Sequence, residues 1–304
     1  MDRTVIAVID IGTNSILMLI ASVESGNLKT LGQWSETTRL GRDLMRTGRI
    51  GDRGFLDTLR ALQYFHKIAQ KNTDRIIVVG TQVFRAAANS NQIIRQIKTK
   101  TGLSVEILSE TEEASYGYKG VLTGMRLEET MVIDVGGGSV ELIQGGQNRE
   151  ITVTSIPKGA VSLTEKYFSH DPPDPSELRA LKADFESAIG ESWLKLLQAP
   201  LPWVCIGGTA TTVASCLLGL NTYDARKLEN FYLSRDDLTV LIRHFLEMNL
   251  SDRRAYIQID PKRADIIIAG SLVIESLMEL GRKERCLISD RGLRYGIAKR
   301  ELQS

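Results

Sequence analysis

A short pattern of acidic, glycine and hydroxyl residues occurs twice in this chain. Residues 8–20 read VIDIGTNSILMLI and residues 132–143 read VIDVGGGSVELI, so that Asp10 and Asp134 are offset by 124 residues. In each copy an apolar strand ends in Asp, an apolar residue and Gly, and a Ser and a second strand follow two turn residues. Backbone N–H groups in such a turn can bind an anion, and a nearby Asp can hold a cation. The repeat predicts two related lobes that grip one phosphate–metal ligand.

Carboxylates inside the two copies are the candidate magnesium ligands. Asp10 and Asp134 hold the same place in the pattern, and Glu141 follows Asp134 by seven residues on the returning strand. The residue that matches Glu141 in the first copy is Leu17, so we expect the ion near the second copy. We predict Mg²⁺, with Mn²⁺ as the alternative ion. A solvated strand residue is the competing interpretation of Glu141.

Residues 81–89 (TQVFRAAAN) directly follow the β-branched run RIIVVG. A helix that begins after a parallel strand points its N–H groups at the sheet edge where ligands bind in open α/β folds. Arg85, one turn into this helix, could donate two hydrogen bonds to a phosphoryl group. An Arg on a solvated face is the alternative.

The segment IGGTATT at 206–212 is a second transition from strand to helix. Its residues Gly207, Gly208 and Thr209 allow close backbone approach and offer a hydroxyl, which predicts a phosphate or nucleotide contact. Close packing of a helix against a sheet is the competing reason for the two glycines.

The run Ser109-Glu-Thr-Glu112 is a capping box that predicts the start of a helix extending through Gly120. Glu112 fits the capping role, which leaves Glu113 for another role. A carboxylate at this position could take a proton from an attacking water.

Five arginines recur at intervals of three or four residues: Arg39, Arg42, Arg46, Arg49 and Arg53. The intervening Gly41, Gly48 and Gly51 argue against one continuous helix. A solvated face is the default interpretation of these arginines, and a rim that guides a phosphate chain is the sharper one.

Length and composition set the protein class. The 304 residues suffice for about two domains, and 42% apolar with 25% charged residues predicts a globular core. The net charge of +1 argues against a general nucleic-acid binder. We interpret Cys205, Cys216 and Cys286 as reduced thiols of a cytoplasmic protein. Asp10 interrupts the N-terminal apolar stretch, and the uncharged run 204–220 reads as strand plus helix, so neither a signal peptide nor a membrane partner is expected.

The elements that would position these residues alternate between strand and helix. We predict strands at 4–10, 15–22, 75–80, 105–108, 131–144 (a hairpin), 150–156, 203–207 and 286–289. We predict helices at 52–71, 109–120, 176–198, from 260–261 to about 281, and at 293–302. The expected domains are 1–118 with about 290–304, and 119–289.

With these segments together, the chain resembles the exopolyphosphatase/guanosine pentaphosphate phosphohydrolase family (Ppx/GppA) of the actin-like ATPase-domain superfamily. The similarity covers essentially the whole chain and is most specific in DIGTNS, DVGGGSVEL and the EEA start of the capped helix. Sugar kinases would share the hairpins but not that helix. The resemblance implies an α/β fold of two actin-like (ribonuclease H-like) lobes around an inter-domain cleft.

The resemblance also implies residue roles. Glu113 would be the catalytic base, Asp134 and Glu141 would bind magnesium, and Arg85 would contact the reacting phosphoryl group. The residues implied to bind phosphate lie in the two turns: Thr13, Asn14, Ser15, Gly136, Gly137, Gly138 and Ser139. Because the sequence ends at Ser304, we expect a short form without the C-terminal HD-like domain and without a long processive channel.

We therefore predict an exopolyphosphatase that hydrolyses the terminal phosphoryl group of inorganic polyphosphate with magnesium. The nearest alternative is a guanosine pentaphosphate 5′-phosphohydrolase, for which guanosine penta- or tetraphosphate is a ligand. An actin-like phosphate or nucleotide sensor with little turnover and a small-molecule kinase are further alternatives. The oligomeric state stays open, with a homodimer as one candidate.

Overall fold

The computed structural model describes residues 4–24, 27–146 and 149–303. The chain forms two compact units. Unit 1 contains Met1–Thr123 and Arg291–Ser304, and unit 2 contains Gly124–Asp290. Both units are α/β, as the sequence predicts.

Unit 1 contains a five-stranded sheet in the order β3-β2-β1-β4-β5. Its strands are β1 (Val5–Ile11), β2 (Ser15–Glu24), β3 (Asn27–Thr37), β4 (Ile76–Gly80) and β5 (Val105–Ile107). Its helices are α1 (Leu44–Thr47), α2 (Asp52–Ala69), α3 (Gln82–Ala86), α4 (Ser90–Thr101), α5 (Glu110–Val121) and α14 (Leu293–Gln303). The antiparallel β1–β2 hairpin is followed by β4, which pairs in parallel with β1.

Both faces of this sheet are covered, which explains why β1 is apolar at nearly every position. Ala7 and Ile9 pack in one core cluster with helices α2 and α4. Ile6 and Val8 pack in a second cluster with Tyr295 and other residues of α14. Because successive strand residues point to opposite faces, a strand covered on both faces must be apolar throughout.

Unit 2 contains a six-stranded sheet in the order β10-β11-β9-β6-β7-β8. Its strands are β6 (Glu129–Val135), β7 (Val140–Gly146), β8 (Arg149–Ile156), β9 (Trp203–Ile206), β10 (Phe231–Ser234) and β11 (Arg285–Ile288). Its helices are α6 (Ala160–Tyr167), α7 (Pro175–Ser187), α8 (Glu191–Leu197), α9 (Gly207–Leu217), α10 (Ala225–Leu228), α11 (Arg235–Leu246), α12 (Leu250–Tyr256) and α13 (Ile267–Leu280). The antiparallel β6–β7–β8 meander and the parallel β6–β9 pair repeat the plan of unit 1.

Two predicted helices differ from the structure. The expected single helix at 176–198 is two helices, α7 and α8, and Gly190 is the N-cap of the second. The expected helix from Asp260-Pro261 is a 3₁₀ turn, Pro261–Arg263, followed by α13. Glycine is a poor helix former and an accepted N-cap, which is why one helix can end and another begin at Gly190. The apolar periodicity continues across this position and therefore did not reveal the break.

None of the helices in the described ranges is long and apolar enough to cross a bilayer. The uncharged run 204–220 contains the end of β9 and the whole of helix α9, the strand and helix that were predicted.

Candidate functional site

The two copies of the repeated pattern form hairpin turns with the same closing hydrogen bond. In unit 1 the Gly12 N–H donates to the Ser15 carbonyl at 3.0 Å, and in unit 2 the Gly136 N–H donates to the Ser139 carbonyl at 3.0 Å. A Cβ on either glycine would lie 3.1 Å from that carbonyl oxygen. The sequence repeat is therefore also a repeat of backbone geometry.

Carbonyl groups of both turns are used by the neighbouring backbone. The Asn14 carbonyl accepts from Thr38 and Arg39 at 3.0 and 2.8 Å, and the Thr13 carbonyl accepts from Gly41 at 2.8 Å. In unit 2, the start of α6 donates to the turn. Ala160 donates to the Gly136 carbonyl at 2.9 Å and Val161 donates to the Gly137 carbonyl at 2.8 Å.

The N–H groups at the tips of the turns are left for a ligand. Within the described ranges, the N–H groups of Thr13, Asn14, Gly137 and Gly138 donate to no other residue. Paired carbonyls with available N–H groups favour an anion over a cation at each turn. The side chains have other partners: Thr13 Oγ1 donates to Gln82 Oε1 at 3.0 Å, and the buried Asn14 donates to Ser15 Oγ at 3.3 Å.

Asp134 and Glu141 lie directly opposite each other on the β6–β7 ladder. Residues opposed in an antiparallel pair share one face, with Cβ atoms about 4.5–5.5 Å apart. Glu141 is buried and accepts a hydrogen bond from Ser155 at 3.1 Å. In unit 1, Asp10 lies opposite Leu17, so the two hairpins differ in charge as the sequence indicates.

The start of α9 lies against the Asp134 carboxylate. Gly207 has φ of +89°, and a Cβ there would lie 2.6 Å from Asp134 Oδ1. Strand β9 places it there, because Ile206 is the parallel partner of Asp134. The structure thus brings together two residues that the sequence placed in separate motifs.

The threonines of the IGGTATT segment have local partners. Thr209 is buried against Gly270 of α13, where an added Cβ would lie 2.6 Å from its side chain. Thr211 and Thr212 donate to the Gly207 and Gly208 carbonyls at 3.1 and 2.7 Å. These contacts favour the packing interpretation for the threonine side chains.

Sequence reasoning missed Arg263, which lies over the start of α9. A Cβ on Gly208 would lie about 2.1 Å from the Arg263 guanidinium, and Arg263 Nε donates to Asp260 at 3.1 Å. The available signal in the sequence was Arg263 three residues after Asp260, the first residue of the helix-starting Asp-Pro pair. That spacing does not indicate that the turn packs on Gly208.

Arg85 and Glu113 form an ion pair inside unit 1. Arg85 Nη1 donates to Glu113 Oε2 at 2.7 Å and to the Leu108 carbonyl at 2.8 Å. Both side chains are about one-fifth exposed. Nη2 and Nε of Arg85 have no hydrogen-bond partner among the described residues, so these donors are available to a ligand.

The two glutamates at the start of α5 have different environments. Glu112 closes the predicted capping box, with the Ser109 hydroxyl donating to it at 2.7 Å, and these bonds lower its pKa. Burial raises the pKa of Glu113 above its ordinary value of 4.5, and Arg85 only partly opposes this shift. A partly buried carboxyl with a raised pKa is a stronger base than an ordinary glutamate, which suits Glu113 to accept a proton.

A magnesium site on the second hairpin would have two protein carboxylates, those of Asp134 and Glu141. The described residues contain no group of three or more His, Cys, Asp or Glu side chains arranged to hold a metal. Mg²⁺ is commonly held by one or two carboxylates together with water and substrate phosphate. The Asp134–Glu141 pair fits that pattern. Asp10, with Leu17 opposite, does not form such a pair on its hairpin.

Comparisons with known proteins agree with this architecture. A sequence profile of the Ppx/GppA phosphatase family matches residues 19–304. Exopolyphosphatase 2 of Mycobacterium tuberculosis is 28% identical over 318 residues, which cover 98% of both chains. The crystal structure of the Ppx/GppA family member of Aquifex aeolicus is 29% identical, with a TM-score of 0.81 and coverage of 99% and 98%. An exopolyphosphatase structure from Cytophaga hutchinsonii is 25% identical, with a TM-score of 0.89 and coverage of 99% and 98%.

The fold and these similarities define an α/β protein of the actin-like class, as predicted. The chain belongs to the Ppx/GppA phosphatase family.

Proposed function

We propose that this protein is an exopolyphosphatase that uses magnesium to hydrolyse the terminal phosphoryl group of inorganic polyphosphate. The substrate class is supported by relatives named exopolyphosphatases that match nearly the whole chain. The single observation that carries the hydrolytic chemistry is Glu113, a partly buried carboxyl with a raised pKa that Arg85 holds in place.

Glu113 is the proposed general base. Its carboxylate takes a proton from water as the water oxygen forms a bond to the terminal phosphorus. The bridging P–O bond breaks, so that orthophosphate and a chain shorter by one phosphate are released. General-base assistance contributes about 10²–10⁴ in rate.

Positioning of the substrate and neutralisation of its charge supply the rest of the rate enhancement, because phosphoryl transfer proceeds through a loose transition state. Arg85 orients Glu113 and offers its remaining donors to phosphoryl oxygens. The N–H groups of the two turns hold non-bridging oxygens.

Asp134 and Glu141 are the proposed magnesium ligands. Like charges directly opposite each other destabilise a strand pair, and a bound cation offsets that cost. When bound, the ion would neutralise charge on the phosphate oxygens.

Phosphate release from long-chain polyphosphate, tripolyphosphate and guanosine pentaphosphate, measured with Mg²⁺ and with EDTA, tests the proposal. We expect Mg²⁺-dependent release from polyphosphate. Faster release from guanosine pentaphosphate would reassign the substrate. Mg²⁺-dependent thermal protection by these ligands without phosphate release would instead identify a sensor, and transfer to an added sugar or acid would identify a kinase.

A further inference from the structure

We infer that residues 39–53 of unit 1, the arginine segment, bind the distal phosphates of a linear polyphosphate, away from the phosphoryl group that is cleaved. The inference rests on the proposed function and adds a second binding surface to it. Polyphosphate carries a negative charge along its whole length, so a cationic surface outside the reacting centre would add affinity that grows with chain length.

Positive charge is concentrated in this segment. Its 15 residues contain five arginines and two aspartates, a net charge of +3, whereas the whole chain has a net charge of +1. The other residues together are therefore slightly acidic. A local cationic patch on a nearly neutral protein attracts a polyanion without the general nucleic-acid affinity of a basic protein.

The backbone of the arginine segment is anchored while its arginines face solvent. Leu40, Leu44 and Ile50 are buried in the core of unit 1. The arginine side chains alternate with these anchors, and those of Arg42, Arg46, Arg49 and Arg53 are exposed. A rigid support reduces the entropy lost when a ligand binds.

Three of the arginines have charge available for a ligand. Arg46 pairs with Asp43 at 3.2 Å. The side chains of Arg42, Arg49 and Arg53 form no hydrogen bond or ion pair with the residues that the structure describes.

The segment connects two candidate phosphate-binding elements. At one end, Gly41 donates to the Thr13 carbonyl of the first hairpin turn at 2.8 Å, which places Arg42 next to that turn. At the other end, Ala88 donates to the Gly48 carbonyl at 2.9 Å. Ile50 and Asn89 exchange two hydrogen bonds of 2.9 Å, so Arg49 lies next to the chain that follows the helix of Arg85. If one end of a polyphosphate is held at either element, the rest of the chain would lie along these arginines.

The test compares two triple variants with the same change in charge. The first is Arg42→Gln, Arg49→Gln and Arg53→Gln. The matched control is Lys67→Gln, Lys71→Gln and Arg95→Gln, which removes three exposed cations elsewhere in unit 1. Calorimetry in EDTA measures the binding of long-chain polyphosphate and of tripolyphosphate over a range of KCl concentrations, and steady-state hydrolysis with Mg²⁺ measures kcat and KM for both.

We expect the arginine variant to bind long chains at least about tenfold more weakly, with the slope of log K against log[KCl] reduced by about 2. Its affinity for tripolyphosphate and its kcat should match those of the control variant. Equal losses in both triple variants, or equal losses for short and long chains, would overturn the inference. If the wild-type protein binds polyphosphate but releases no phosphate, the proposed function fails, and the calorimetry alone still decides the role of the arginine segment.

Discussion

Arg85 donates to Glu113 at 2.7 Å, which joins two residues that lie 28 positions apart and belong to separate sequence motifs. The pair is positioned by secondary structure: α3 begins directly after β4, and α5 begins after β5, the parallel neighbour of β4. Arg85 also binds the Leu108 carbonyl, which precedes the capping residue Ser109. Arg85 and Glu113 therefore lie close together because their helices follow the carboxyl ends of two neighbouring parallel strands.

Replacing Glu113 by Gln should lower kcat by about 10²–10⁴, because the amide cannot accept the proton of the attacking water. Binding of polyphosphate should change little. The matched control is Glu112→Gln, which alters the neighbouring glutamate on the same helix turn and weakens only the capping box. Phosphate-release kinetics and calorimetry measure the two effects. A Glu113→Gln variant with the kcat of the wild type would remove Glu113 from the mechanism.

The pH dependence of kcat/KM should report the environment of Glu113. The base must be ionised, and burial raises its pKa above 4.5. The acidic limb of the kcat/KM profile should therefore lie above pH 4.5. Arg85 lowers this pKa, so Arg85→Gln should move the limb to higher pH and also reduce the rate. The exposed Arg95→Gln serves as the control. An unchanged limb in Arg85→Gln would assign the titration to another group.

Stability should depend on pH through the same residue. Folding raises the pKa of Glu113 above the value of about 4.5 in the unfolded chain. The contribution of Glu113 to the free energy of unfolding is therefore fully present below pH 4.5, and it is lost as the pH rises through the pKa of the folded state. Glu113→Gln has no such loss. Its free energy of unfolding relative to the wild type should therefore increase with pH and then level off, as urea denaturation from pH 4.5 to 8 can show. A stability difference that instead shifts toward the wild type as the pH rises would mean that attraction to Arg85 outweighs burial.

Asp134→Asn and Glu141→Gln should each weaken magnesium binding, because they remove one carboxylate of the proposed pair. Thermal unfolding at increasing Mg²⁺ concentrations measures this without activity: the Mg²⁺-dependent rise in Tm should shrink in both variants. Asp10→Asn is the matched control, since Leu17 occupies the opposite position on its hairpin. Equal losses in all three variants would contradict an ion held by the second hairpin.

Gly207→Ala should impair catalysis as well as stability, because the methyl group would meet the Asp134 carboxylate at 2.6 Å. The control is Gly219→Ala, which also has a positive φ, +61°, but has open space around the added methyl group. Both variants should lose about 1 kcal/mol through backbone strain. Only Gly207→Ala should also lose magnesium-dependent stabilisation and activity. Matching behaviour of the two variants would show that Asp134 tolerates displacement.

The sequence was sufficient for local features whose causes are local. The two D-x-G-x-x-S hairpins, the capping box at Ser109 and the pairing of Asp134 with Glu141 follow from strand alternation, turn composition and cap spacing. The family resemblance rested on the same segments and is confirmed. The single helix expected at 176–198 was wrong, because apolar periodicity continues across a break that one glycine allows.

Contacts between distant segments were decided only by the tertiary structure. The sequence could place Arg85, Glu113, Asp134 and Gly207 at strand ends and helix starts, but it could not show that Arg85 binds Glu113 or that Gly207 touches Asp134. Likewise, it could not show that Arg263 covers Gly208. Strand order and the packing of helices on the sheet fix these distances, and both depend on interactions summed over a whole unit rather than on any local pattern of residues.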